Sequence, residues 1–172
     1  MVREDFSTII RKIRIFSGAI LFAYVIMHLL NHSINIFSID LADAVRSSYF
    51  HPVWQNPVGL VLLYGSFVAH MILGFSSILT RKSFKMKAKD WIQIIFPVLA
   101  LLFLLQHIAV SFIITKIYGG EETYSLFFAA MNTETPSDLI VGAILFSLMT
   151  IFIWVHGVIG IDSYLKQQAV HH

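Results

Sequence analysis

Four histidines interrupt runs that are otherwise almost wholly apolar: His28, His70, His107 and His156, one deep in each run, with His32 a second in the first. Imidazole binds transition metals as a neutral ligand and carries protons near neutral pH. At membrane depth an ionisable side chain is costly, so each of these positions is a candidate functional site. One such histidine alone is explained by a hydrogen bond to a nearby carbonyl. Four, one per run, point to ligation, with a proton or metal relay as the rival. A relay usually adds Asp or Glu within the spans, and none of the four runs contains either.

The runs are 15–39, 58–79, 91–115 and 139–161, each of 22 to 25 residues without a formal charge. A bilayer requires about 20. They are too long and uniform for barrel strands, which leaves helices to satisfy the backbone in lipid. A chain that is 57% hydrophobic and 13% charged, with mean hydropathy +0.76, is no soluble globular domain. The fold expected is all-α: four transmembrane helices in an up-down bundle over 14–165, with a tail at 166–172. Residues 1–13 precede the bundle. Phe6, Ile9, Ile10 and Ile13 alternate there with basic residues at helical spacing, which reads as a short amphipathic helix on the membrane surface.

No secretory signal is expected, because the first run is too long for an h-region. His171 and His172 look like the start of an affinity tag and carry no argument. The chain has no cysteine, which excludes disulfides, CxxCH haem attachment and a Cys-ligated iron–sulfur cluster in this segment.

Basic residues gather at alternate ends of the runs. Arg3, Arg11, Lys12 and Arg14 precede the first; Arg81, Lys82, Lys85, Lys87 and Lys89 lie between the second and third; Lys166 follows the fourth. The opposite connections hold only Arg46 and Lys116 among several acidic residues. The positive-inside bias puts both termini in the cytoplasm of a multi-pass protein of the bacterial cytoplasmic membrane. The outer segments 40–56 and 117–137 are aromatic-rich and expected to be part-helical at the interface.

Helical rise turns this orientation into depth. At about 1.5 Å per residue, His28 lies roughly 21 Å above Arg14 and His107 roughly 27 Å above Lys89. His70 lies only about 16 Å from Arg81, and His156 about 9 Å from Asp162. The first and third helices thus match in the outer half, and the second and fourth in the inner half. In an up-down bundle these are diagonal partners facing across the core. A planar macrocycle held by two axial imidazoles needs such opposed histidines, so the reading is two non-covalent haems b. Gly18, Gly65, Gly74, Gly157 and Gly160 accompany the histidines, where a missing side chain admits a flat ring or a neighbouring helix. His32, one turn above His28 on the same face, is a weaker ligand candidate. Haem propionates at this depth need water or a basic partner. Arg14, Arg81 and Lys82 are the candidates for the inner haem, and Arg46, Asn31 and His32 for the outer. His51 in the outer segment could reach a quinone head group.

Several stretches carry a resemblance: SGAILFAYVIMHLLNH (17–32), TRKSF (80–84), LLFLLQHI (101–108) and WVHGVIGIDSYL (154–165). They resemble the di-haem cytochrome b membrane anchor of the succinate dehydrogenase/fumarate reductase type. Shared features are the glycine ten before the first histidine and HGxxG at the last. HLLNH, 53–70 and YGGEETYSLFF (118–128) resemble more closely the cytochrome-b-like anchor of bacterial class III adenylate cyclases. Together they cover nearly the whole chain. The resemblance implies axial pairs His28 with His107 and His70 with His156, the pairs that depth gives independently. It also implies a six-span anchor followed by an iron–sulfur domain and a cyclase domain, of which this chain represents the haem-binding core.

Three functions follow. The first is a redox-sensing anchor that exchanges electrons with the quinone pool and regulates an attached adenylate cyclase. The second is an electron-transfer, quinone-reactive anchor subunit of a succinate dehydrogenase/fumarate reductase. The third is a structural anchor stabilised by its haems. Partners expected are the lipid bilayer, quinone or quinol, a cytoplasmic iron–sulfur or cyclase domain, and a second copy in a homodimer; nucleic acid is not among them. Catalysis beyond electron transfer is not expected of this segment.

Overall fold

A computed structural model describes residues 6–118, 123–124 and 136–169, and all the regular structure among them is helical. The chain divides into two units, Met1–Phe84 and Lys85–His172.

In the first unit, α1 (Phe6–Ile34) runs antiparallel to α4 (Pro57–Leu79), joined by α2 (Ile39–Val45), a π-helical stretch Arg46–Phe50 and α3 (His51–Trp54). The basic and apolar residues from Phe6 onward form the opening turns of α1 itself. No break separates them from the span, so the short amphipathic helix expected over 1–13 is, from Phe6 on, part of the first transmembrane helix. At its other end α1 stops before the expected residue 39. The N–H groups of Asn35, Ile36 and Phe37 turn back to the carbonyls of His32, Ser33 and Ile34. Ser38, in extended conformation, then accepts from Leu41 N–H at 3.2 Å and starts α2. An N-cap serine satisfies one of the orphan amides that open a helix, so hydropathy runs across a boundary that capping imposes.

The start of α4 is fixed by Asn56. Its Oδ1 accepts from the N–H groups of Val58 (2.9 Å) and Gly59 (3.0 Å). Its Nδ2 donates to the carbonyls of Pro52 and Val53. Pro57 occupies the first helical position, where its missing N–H costs nothing. Gly59 packs on the end of α3: a Cβ there would run into the Val53 carbonyl oxygen and reach the Trp54 Cα at 2.9 Å.

In the second unit, α5 (Ala88–Tyr118) packs against α6 (Pro136–Ala169). Lys89 Nζ meets Asp162 at 2.6 Å near one end. Phe96 and Phe103 of α5 meet Phe152 of α6 at 4.9 and 6.2 Å between ring centroids. Pro97 sits inside α5; membrane helices tolerate proline because neighbouring groups re-satisfy the freed carbonyl.

Among the described residues four helices are long and apolar enough to cross a membrane, and at most 11% of any spanning window is buried. Large apolar side chains such as Phe16, Val61, Leu102 and Ile144 point outward. The buried residues include small or polar ones, Ser17, Ser66, Ala100 and Asn31. A soluble protein could not sustain that inversion, whereas in lipid it is the expected economy of small residues between helices and apolar ones outside. The chain is a multi-pass membrane protein.

Candidate cofactor-binding histidines

His70 is the most completely positioned of the four. Its Nδ1 donates to the Arg14 carbonyl at 3.2 Å and stands 3.3 Å from Ser17 Oγ. The Ser17 hydroxyl itself donates to the Arg14 carbonyl at 3.1 Å. A carbonyl can only accept, so the proton of the neutral ring resides on Nδ1 and the lone pair on Nε2. The ring lies over Gly18, whose absent Cβ would come within 2.9 Å of Cε1. Thus α1 supplies a backbone acceptor, a hydroxyl and a vacant side-chain position for one imidazole of α4. Arg14 contributes through its carbonyl, a role that charge-based reading did not anticipate. Beside this contact an open groove of about 490 Å³ runs between α1 and α4. Phe16, Ser17, Gly65, Ser66 and Ala69 line it, with Lys12 also on its wall.

His28 is arranged differently. Its Nε2 stands 3.0 Å from Nε2 of His32, with the rings edge to face at 4.4 Å. Tyr24, one turn earlier, stacks on His28 at 5.5 Å and 13°, and Trp54 meets Tyr24 edge-on at 5.3 Å. The shared face expected for His28 and His32 is therefore present. The two rings are joined through the nitrogen that a ligand histidine presents to a metal, so iron binding at His28 requires this contact to open. Asn31, between them in sequence, is only 2% exposed.

In the second unit, His107 meets Phe146 of α6 edge-on at 5.6 Å. The carbonyl of His156 accepts from Gln93 Nε2 of α5 at 3.2 Å. Both imidazoles are half-buried.

The register of each helix pair follows from these contacts. Arg14, which bonds His70, precedes His28 by fourteen residues; Gln93, which bonds His156, precedes His107 by fourteen. Fourteen residues of helix span about 21 Å. His28 and His70, and likewise His107 and His156, therefore lie at well-separated levels within their own helix pair. Two nitrogens on one metal are separated by only about 4 Å when trans. Neither of these two pairs can share one iron.

No known family, no curated protein and no solved structure matches this chain.

The basic candidates fall into two groups. Arg81 and Lys82 are exposed in the connection after α4, where Thr80 ends the helix by returning its hydroxyl to the Ser76 carbonyl at 2.7 Å. Arg46 is engaged locally: Nη1 bonds His51 Nε2 at 2.8 Å and Nε lies 3.8 Å from Asp43. Three contributors were missed from the sequence: Ser17, Gln93, and the cluster of Lys89 and Lys166 on Asp162. Ser17 and Gln93 are among the few polar residues near the start of their apolar runs, and that rarity was the available signal.

Proposed function

We propose that this chain is a di-haem cytochrome-b-type membrane anchor, with His28 and His107 as axial ligands of one haem b and His70 and His156 of the other. The carrying observation is the register: within its own helix pair His28 stands about 21 Å from the level of His70, and His107 about 21 Å from that of His156. The pairing of His28 with His107 and of His70 with His156 is what the resemblance implies. At His70 the fit is supported in detail. A ligating histidine generally donates its second ring N–H to a carbonyl or carboxylate, and the Arg14 carbonyl fills that role. The missing side chain at Gly18 makes room for the His70 ring itself, and an apolar groove lies beside it.

Bound haem supplies one-electron exchange within the bilayer. What the chain itself supplies is orientation and environment. Arg14 and Ser17 hold the His70 tautomer, Gly18 admits the ring, and the apolar outer faces keep water from the spans. The clustering of Lys and Arg at one end supports cytoplasmic termini in a bacterial inner membrane. Electron exchange with quinone and regulation of an attached adenylate cyclase is the function these features fit through the motif residues HLLNH and HGVIG. Service as the anchor of a succinate dehydrogenase or fumarate reductase is the alternative with the same haem chemistry.

A pyridine haemochrome assay on the purified chain tests the reading. About two haems b per polypeptide with six-coordinate, low-spin spectra are expected. Less than one after reconstitution with haemin would return the histidines to a proton-carrying role, for which the His28–His32 hydrogen bond is a ready element.

A further inference from the structure

His28 and His32 stand one turn apart near the end of α1, with Nε2 atoms 3.0 Å apart and ring planes at 80°. We propose that this pair forms a binding site for a divalent transition cation of the copper(II) or nickel(II) kind. Two nitrogens bound at about 2.0–2.1 Å to one metal are about 3 Å apart when cis at 90° and about 3.4 Å apart at the tetrahedral angle. The observed separation matches the square chord, the geometry that copper(II) and nickel(II) favour with nitrogen and oxygen ligands. Imidazole suits both metals, and copper(II) stands highest in the affinity order of the first-row divalent ions.

Local structure prepares the site. Both ligands come from one helix at i and i+4, neighbours on its surface, so no long loop has to be closed. Tyr24 stacks on the far side of His28, and Trp54 braces Tyr24. Among the described residues no third His, Cys, Asp or Glu joins the pair, so water completes the coordination. His32 lies two residues from the last residue of α1, close enough to the helix end for water to reach it. In the metal-free state one Nε2–H donates to the other Nε2. When the cation binds, the donating ring changes tautomer, giving its Nε2 proton to water and taking one at Nδ1, so that both Nε2 lone pairs go to the metal with no net proton release and no electron transferred.

The site does not depend on the haem reading but meets it at one atom. Nε2 of His28 cannot serve iron and the pair at once, so cation and outer haem exclude each other.

The test uses the full chain carrying His171→Ala and His172→Ala, purified in detergent without added haem and titrated with copper(II) sulfate. One copper per chain is expected, with pulsed paramagnetic resonance showing two coordinated imidazoles. His32→Asn and His28→Asn should each weaken binding at least about tenfold, the loss of one of two ligands, while His51→Asn binds as the parent does. Two-imidazole coordination in the unmutated pair supports the site even if His28→Asn fails to fold. One imidazole only, or parental affinity in His32→Asn, overturns it. Copper at this pair in a chain that takes up no haem would overturn the haem reading and leave this site standing.

Discussion

The imidazole of His70 lies on the backbone of Gly18, so near that a Cβ at residue 18 would stand 2.9 Å from Cε1. That contact joins α1 to α4 at a histidine whose ring nitrogen is already committed to a carbonyl. It makes residue 18 a sensitive position for any group that His70 binds.

Gly18→Val should displace the His70 ring and lose the inner haem while retaining the outer. Overpacking of this kind costs about 1–3 kcal/mol, and the atoms that must yield are those of the His70 ring itself. Gly74→Ala is the control, since a Cβ there meets nothing within 4 Å. Redox titration should show one transition in Gly18→Val and two in Gly74→Ala. Two unshifted transitions in Gly18→Val would remove the glycine from the site.

Ser17→Ala removes a hydroxyl 3.3 Å from His70 Nδ1 but leaves the Arg14 carbonyl in place. Loss of an outer partner to a ligand histidine typically costs about 10- to 100-fold in affinity. With one of two contacts surviving, about a tenfold faster loss of the inner haem to a soluble acceptor protein is expected. An unchanged transfer rate would assign Ser17 to helix packing alone.

The pairing itself is tested by alanine variants. His70→Ala and His156→Ala should remove the same redox transition, and His28→Ala and His107→Ala the other. His32→Ala should retain both haems, because it frees Nε2 of His28 from its present hydrogen bond. If His28→Ala and His70→Ala abolished one shared transition, the separation of about 21 Å within the first unit could not be correct.

Gly59→Ala places a methyl group against the Val53 carbonyl and Trp54. The neighbour is backbone at a corner held by Asn56 on both sides, so relaxation has to move a helix. A stability loss of about 1–3 kcal/mol is expected, read as a lower midpoint of thermal unfolding in detergent. A midpoint equal to that of the native chain would show that the corner is looser than its contacts imply.

Gln93→Leu deletes the side-chain bond to the His156 carbonyl. Hydrogen bonds between membrane helices average about 0.6 kcal/mol. A small decrease in stability with both haems retained is expected, and loss of the inner haem would raise Gln93 from packing to a ligand-positioning role.

The four spans were legible in the chain because a bilayer admits few structures: an uncharged run of more than about 20 apolar residues has to be a helix. Depth was legible in the second unit, where helical rise places Gln93 and His156 each within about 9 Å of the Lys89–Asp162 end; in the first unit His70 stands level with Arg14 rather than well above it, because the two helices start their spans at different levels. The end of the first span was not legible. Residues 35–39 remain apolar enough to continue a helix, and only the competition between the turn after Ile34 and the Ser38 cap decides where it stops. Nor could sequence separate the basic opening turns from the span, because no proline, glycine or cap stands between Phe6 and Ser17 to break the helix. The ring nitrogens belonged wholly to tertiary structure. That His70 gives its Nδ1 proton to a carbonyl fifty-six residues away, and that His28 turns Nε2 toward His32, depend on rotamers. Packing against Gly18 in one case and Tyr24 in the other selects those rotamers, and spacing along the chain carries no information about either.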